Sequence, residues 1–172
     1  RVFFGLSILG ILTLFYLLIP TLYDKGKIQS QLKNQLLKNY KIDVKFNEKI
    51  SYGLLPKPHF LAQNLSILNN DQEIGVTKNL KIFIGISQLI FSDKIKTKNL
   101  VFNKTDFNIH YNDILFFEKL LKKKQNQNKI FIKNSNIFFR NKNDDVLFIN
   151  KIENNKFYFD FNNLMNVMSA KN

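Results

Sequence analysis

The sequence predicts a mainly β fold, in which an N-terminal transmembrane helix precedes a curved antiparallel β-sheet with two short helices. Three observations support this prediction. One uncharged apolar run opens the chain, apolar and polar residues alternate over most of the remainder, and helix-period patterns occupy only two short later segments. The apolar side of such a sheet either fills a sandwich core or lines an open groove, and patterning alone favours the filled core.

The opening apolar run extends from Val2 to Leu22 and contains no charged residue. As a helix it reaches roughly 30 Å, the thickness of a bilayer's hydrocarbon core. Apolar residues occupy every angular position around the axis, and no signal-peptide cleavage site follows. We therefore predict a membrane anchor over residues 1–23. Its apolar residues are Val2, Phe3, Phe4, Leu6, Ile8, Leu9, Ile11, Leu12, Leu14, Phe15, Leu17, Leu18 and Ile19.

The charge pattern bears on partners and on orientation. The net charge is +13, but only Arg1 and Arg140 among the 26 basic residues are arginine, which nucleic-acid grooves favour. We therefore predict no nucleic-acid partner. Lys25, Lys27 and Lys33 follow the anchor and only Arg1 precedes it, so the positive-inside rule would place the C-terminal module in the cytoplasm unless further basic residues precede Arg1.

The residues that carry enzyme chemistry are sparse. Cysteine is absent, and His59 and His110 are the only histidines, each without a carboxylate cluster or second histidine at metal-ligand spacing. No glycine-rich phosphate loop or nucleophile elbow occurs. The prediction is a protein that is not an enzyme and has no catalytic residue, cofactor or metal site.

An amphipathic helix is predicted after the anchor, within residues 24–41. Apolar residues recur every four positions along it, which places them on one side of a helix. This stripe consists of Ile28, Leu32, Leu36 and Tyr40. We expect the stripe to lie against the sheet or the membrane surface, and Asn39 to end the helix.

Residues 42–172 are predicted to form a β-rich module that is truncated at its C-terminus. Pro56 and Pro58 make residues 50–58 an edge or crossing segment. A tight reversal is expected at Lys104 and Thr105, a second helix at 114–124 and a further helix at 164–168. The remaining predicted strands are 42–46, 60–68, 76–86, 95–103, 106–111, 129–133, 136–141, 146–149 and 156–161.

Alternation within these strands places several apolar residues on one face of the sheet. If this face is a groove, it suits acyl chains, because burial contributes roughly 0.8 kcal/mol per methylene. The candidate lipid-binding residues are Ile82, Ile84, Ile86, Phe107 and Ile109. The same residues would serve equally well in a filled core.

The order of these features resembles the AsmA family. After the two helices come the alternating strand from Lys41 to Phe60, the segment Asn64 to Ile67, the alternating run Leu80 to Leu89 and the strand pair Ile132 to Phe139. Asn39 and Tyr40 stand where the family usually has a helix-ending glycine. The resemblance implies an anchor in the inner membrane of a Gram-negative bacterium, a module in the periplasm, and phospholipid transport for outer-membrane biogenesis. It also favours a groove over a filled core.

Two other functions are compatible with the sequence. A jelly-roll bridge component of lipopolysaccharide export has a similar size and tether, and a membrane-anchored scaffold could bind anionic partners through its lysines. The predicted partners are a membrane crossed once and phospholipid. The sequence identifies no partner protein.

Overall fold

The computed structural model describes residues 2–85, 87, 95–113, 129–160 and 165–171. Helix α1 (Val2–Leu18) continues as a 3-10 turn (Ile19–Leu22), and helix α2 (Lys25–Gln35) continues as a π-helical turn (Leu36–Tyr40). The strands are β1 (Asp43–Phe46), β2 (Ser51–Gly53), β3 (His59–Asn69), β4 (Gln72–Ile84), β5 (Thr97–His110), β6 (Ile130–Arg140), β7 (Val146–Asp160) and β8 (Met165–Lys171). The predicted mainly β fold class is confirmed.

The described strands form one open sheet in the order β1, β3, β4, β5, β6, β7, β8, with β2 also paired to β3. Neighbouring strands are antiparallel except for β5 and β6, which are parallel. The prediction of an antiparallel sheet is therefore wrong at this pair. Parallel neighbours require a connection long enough to return the chain to the same end of the sheet. The predicted second helix, 114–124, falls in this connection and lies outside the described residues.

The apolar stripe of α2 and the turn after it packs against the sheet. Ile28, Leu32, Leu36 and Tyr40 are each at most 3% exposed, which confirms the predicted amphipathic helix. Asp24 caps its start, because its carboxylate accepts a hydrogen bond from the Lys27 backbone N–H at 2.6 Å.

Two polar side chains fasten the end of this helix to β5. The Gln35 side chain accepts from the Thr97 backbone N–H at 2.8 Å, and the Tyr40 hydroxyl donates to the Lys98 carbonyl at 2.6 Å. The residue that ends the helical segment is Lys41, whose φ of 58° is left-handed, so the prediction of Asn39 is wrong.

A line of left-handed residues crosses the middle of the sheet. Asn64 in β3, Lys104 in β5 and Asn134 in β6 have φ values of 46°, 57° and 48°. The pairing registers on either side place these three residues and Lys78 of β4 in one row, which we name the kink line. Side-chain alternation shifts by one residue there. In β5, Phe102 and Thr105 are three positions apart, so regular alternation would place them on opposite faces, yet both are buried. Such irregularities bend a sheet.

The kink line explains why several predicted strands are too short. The structure has no reversal at Lys104 and Thr105, because β5 runs unbroken from Thr97 to His110. Likewise, 129–133 and 136–141 form the single strand β6, and 146–149 and 156–161 fall largely within β7. The helix predicted at 164–168 is also wrong, since Met165–Lys171 pairs with β7 as β8.

Candidate functional site

The kink line divides the apolar inner face of the sheet into two halves. The half next to Tyr52 and the first helix we name the proximal half, and it contains Phe60, Ala62, Leu80, Ile82, Leu100 and Phe102. The other half we name the distal half, and it contains Leu65, Ile67, Phe107, Ile109, Ile137 and Phe139. Alternation restarts at the kink line, so apolar side chains point inward on both sides of it.

Three hydroxyl side chains separate the two halves. Thr77, Thr105 and Ser135 occupy facing positions on β4, β5 and β6 and are at most 2% exposed. The Thr77 and Thr105 hydroxyl oxygens lie 3.0 Å apart, and the Ser135 hydroxyl accepts from the Thr105 backbone N–H at 3.0 Å. This hydroxyl row therefore satisfies hydrogen-bonding groups that burial would otherwise leave without partners.

The structure places four of the five candidate lipid-binding residues on the inner face, but at two ends of it. Ile82 and Ile84 are 0% and 5% exposed in β4, whereas Phe107 and Ile109 are 8% and 6% exposed in the distal half. Since Phe107 faces Gly75 across the β4 and β5 pair, it lies seven residues, or about 23 Å, from the level of Ile82. These four residues do not form one open pocket. Ile86 lies outside the described residues.

The accessible apolar surface of the distal half lies instead on β6 and β7. The Phe139 and Phe148 rings stack with centroids 4.2 Å apart. Phe148 is 56% exposed, and Ile137 and Phe139 are partly buried. Sequence reasoning missed this surface, because an uninterrupted apolar run such as Val146 to Ile149 is typical of a buried strand.

The proximal half continues onto the first helix. Tyr16, Leu17 and Tyr23 pack against the core, and the Tyr52 hydroxyl of β2 donates to the Leu17 carbonyl at 2.8 Å. Burial, with Tyr23 adding to it, raises the pKa of the Tyr52 hydroxyl, so it remains a hydrogen-bond donor at neutral pH. Helix and sheet are thus joined by both apolar and polar contacts.

The rest of the first helix is exposed. Apolar side chains from Leu6 to Phe15 are 45–68% exposed. Gly5–Leu22 is the one segment of the described chain that is helical, long and apolar enough to cross a membrane. Its length and its exposed apolar surface are compatible with a single-pass membrane anchor.

A pocket of about 220 Å³, which we name the junction pocket, lies where this helix meets the sheet. Pro20 and Thr21 line one side, and Ile50, Tyr52 and Phe60 line another. Lys25, which makes no ion pair with a described residue, adds a cation to the lining. The pocket therefore combines an apolar wall with a positive charge at the end of the anchor.

His110 lies in a polar cluster at the distal end. Its Nε2 is 2.9 Å from an Asp144 oxygen and its Nδ1 is 3.4 Å from an Asp113 oxygen. The Arg140 guanidinium also donates to the Asp144 carbonyl at 2.7 Å. The hydrogen bond from His110, with smaller effects of Arg140, holds the pKa of Asp144 below its usual value. Sequence spacing missed the cluster, because Asp144 is brought to His110 by the pairing of β5, β6 and β7.

Comparison with known proteins identifies no family for this chain. No protein-family model matches the sequence, and no curated protein matches it. The resemblance to the AsmA family stays a prediction. Among the described residues, no group of three or more His, Cys, Asp or Glu side chains is arranged to hold a metal ion.

Proposed function

We propose that this protein is anchored in the inner membrane of a Gram-negative bacterium, extends into the periplasm and serves outer-membrane biogenesis by carrying phospholipid along the apolar face of its sheet. This is the function that the AsmA resemblance implies. The observation that carries the proposal is one apolar cluster that links the anchor to the tip of the sheet. Leu17 packs against this mostly buried cluster at one end and Phe139 at the other, and the Phe139 ring stacks on the exposed ring of Phe148.

The junction pocket is the place where a phospholipid leaves the bilayer. Its apolar wall, formed in part by Ile50 and Phe60, suits the first part of an acyl chain, and Lys25 suits a phosphate. A single exposed lysine contributes little on its own, so the acyl chain supplies most of the binding free energy.

Accessible apolar side chains at the edge of the buried core define the path along the sheet. Ile132, Ile137 and Phe139 on β6 are partly buried, and Phe148 on β7 is exposed. An acyl chain laid over them would exchange water for apolar contact at roughly 25 cal/mol per Å² of buried apolar surface. The fully buried Ile82 supports this surface from the proximal half and does not contact the lipid.

The single sheet favours this proposal over a jelly-roll bridge of lipopolysaccharide export. A jelly roll packs two sheets against each other. The described strands instead belong to one open sheet, whose outermost strands are β1 and β8.

Photo-crosslinking in the membrane-embedded chain tests the proposal. A photoreactive phenylalanine analogue replaces Phe148 on the inner face or Leu147 on the outer face, two adjacent side chains that are 56% and 64% exposed. We expect crosslinked phospholipid at position 148 and little at position 147. The second variant is a matched control for exposure, hydrophobicity and distance from the membrane.

Two results would contradict the proposal. Equal crosslinking at positions 147 and 148 would mean adventitious lipid contact at an apolar tip, and no crosslinking at position 148 in folded protein would remove the lipid path. A third site at Ile137 keeps the test decisive, because its side chain lies deeper on the same face.

A further inference from the structure

The two most exposed large apolar side chains among the described residues lie near the end of the anchor. Leu22, at the end of the candidate span, is 86% exposed, and Leu55, in the loop between β2 and β3, is 82% exposed. We name residues 54–58 the membrane-side loop. Water contact at Leu55 would leave nearly all of its apolar surface unfavourably hydrated.

The hydrogen bond between Tyr52 and Leu17 places this loop near the end of the anchor. The Leu17 carbonyl accepts from the Tyr52 hydroxyl, and Leu17 lies five residues before the end of the candidate span. Tyr52 also lines one pocket with Pro20 and Thr21, which lie at the end of the span. Leu55 is three residues after Tyr52, so their backbones are at most about 10 Å apart. The loop therefore lies beside the end of the candidate span, where the surface of a bilayer would be.

The loop has a defined conformation. The His59 ring, 5% exposed, packs so closely on Gly53 that a Cβ at Gly53 would lie 2.7 Å from the ring's Cε1. The Nδ1 atom of His59 is 2.8 Å from the Lys57 carbonyl oxygen, a hydrogen bond that joins the end of the loop to the start of β3. These contacts hold the backbone on both sides of Leu55, whose side chain is 82% exposed.

The charges around the loop are mostly positive. Lys57 lies in the loop, and Lys25 and Lys27 lie at the start of α2 beyond Leu22, all three exposed. The nearby acid, Asp24, serves as the cap of α2. An apolar tip flanked by lysines is typical of a segment that enters the boundary between anionic headgroups and acyl chains.

We propose that the membrane-side loop is a second membrane contact. Leu55 inserts into the leaflet from which the anchor emerges, and Lys57 lies at the phosphates of anionic phospholipids. The contact would hold the junction pocket facing that leaflet. This inference rests on the membrane span and is independent of lipid transport along the sheet.

Tryptophan fluorescence tests the proposal directly, because the chain contains no tryptophan. The full chain with Leu55→Trp is placed in vesicles of phosphatidylcholine and phosphatidylglycerol that contain lipid labelled with a spin quencher near the headgroup. We expect a blue-shifted emission that the labelled lipid quenches. The matched control is Tyr111→Trp, at an exposed position at the opposite end of the strands, and it should show neither effect.

A second pair of variants tests the role of charge. Lys57→Glu in the Leu55→Trp background should reduce lipid quenching in vesicles with phosphatidylglycerol and have little effect in phosphatidylcholine alone. Lys142→Glu, an exposed charge reversal in the turn between β6 and β7, should change neither.

The outcomes separate this inference from the proposed function. If iodide in the water quenches Leu55→Trp as fully as Tyr111→Trp and labelled lipid does not, the membrane-side loop is in water and the inference is wrong. If Lys57→Glu has no selective effect, the phosphate contact is wrong even where insertion holds. Crosslinking at Phe148 reports only on the lipid path, so either proposal can fail alone.

Discussion

The inner face of the sheet and the tip formed by the ends of β6 and β7 share one alternating pattern but differ in what packs on them. Helix α2 is tied to β5 through Gln35 and Tyr40, and an ion pair of 3.4 Å between Lys33 and Asp43 ties it to β1, so it lies against both halves of the inner face. Leu80 in the proximal half and Leu65 in the distal half have no exposed surface, whereas Phe148 at the tip is 56% exposed. The same alternating pattern therefore produces a filled core under α2 and an open apolar surface at the tip.

The largest expected effect comes from removing part of the cover that α2 gives the core. Leu32→Ala deletes a side chain with 0% exposure and should lower the free energy of unfolding by about 2–5 kcal/mol. Phe148→Ala, at an exposed position, should cost far less. Chemical denaturation of both variants in the same detergent measures the difference. Equal losses would contradict the division into a filled core and an open tip.

An intermediate effect is expected at the hydroxyl row between the halves. Thr105→Val should cost about 1–3 kcal/mol, because it leaves the buried hydroxyl of Thr77 without its partner. Thr105→Ser keeps the hydroxyl, so it should avoid most of this hydrogen-bonding loss and cost less, mainly through the missing methyl group. Denaturation compares the two variants. If valine is as stable as threonine, the hydroxyl row has no role in joining the halves.

The smallest effect is expected at the distal end, where Asp144 is on the surface. Because its folded-state pKa lies below the usual 3.8, its bond to His110 stabilises the fold above that pH and is lost as pH falls through the lowered value. The protection of the backbone N–H groups of residues 141–145 against hydrogen exchange, relative to their intrinsic rates at each pH, should therefore fall in acid. Asp144→Asn should show low protection already at neutral pH and little further change in acid. Unchanged protection in the wild-type chain would show that this contact does not hold the turn.

The parts of the fold that sequence predicts are those set by local patterning. The four-residue repeat from Ile28 to Tyr40 predicts the buried side of α2, and alternation predicts that Leu80, Ile82 and Ile84 share a face. Asn70 and Asp71, which form the turn between β3 and β4, have the left-handed φ values of 48° and 64° that these two residue types favour in turns. Neighbouring residues determine each of these features.

The parts that sequence mispredicts depend on distant strands. Left-handed residues at Lys104 and Asn134 interrupt alternation, and an interruption in a single strand has the same pattern as a turn. Only their alignment across several strands shows that the sheet continues through them. The parallel pairing of β5 and β6 depends on the path between them, and the exposure of Phe148 depends on what packs above it. Neither property is encoded in the period of a strand.

The bond between Tyr52 and Leu17 also has a mechanical consequence. It couples the sheet to the anchor, so the two would tilt as a lever pivoting in the bilayer. Strand β5 has 14 residues, a length of at most roughly 46 Å because the kink line bends the sheet. A tilt of about 20°, ordinary for a transmembrane helix, would then sweep the far tip through at most roughly 16 Å. Small rocking motions in the membrane would become large excursions of the apolar tip at Phe148.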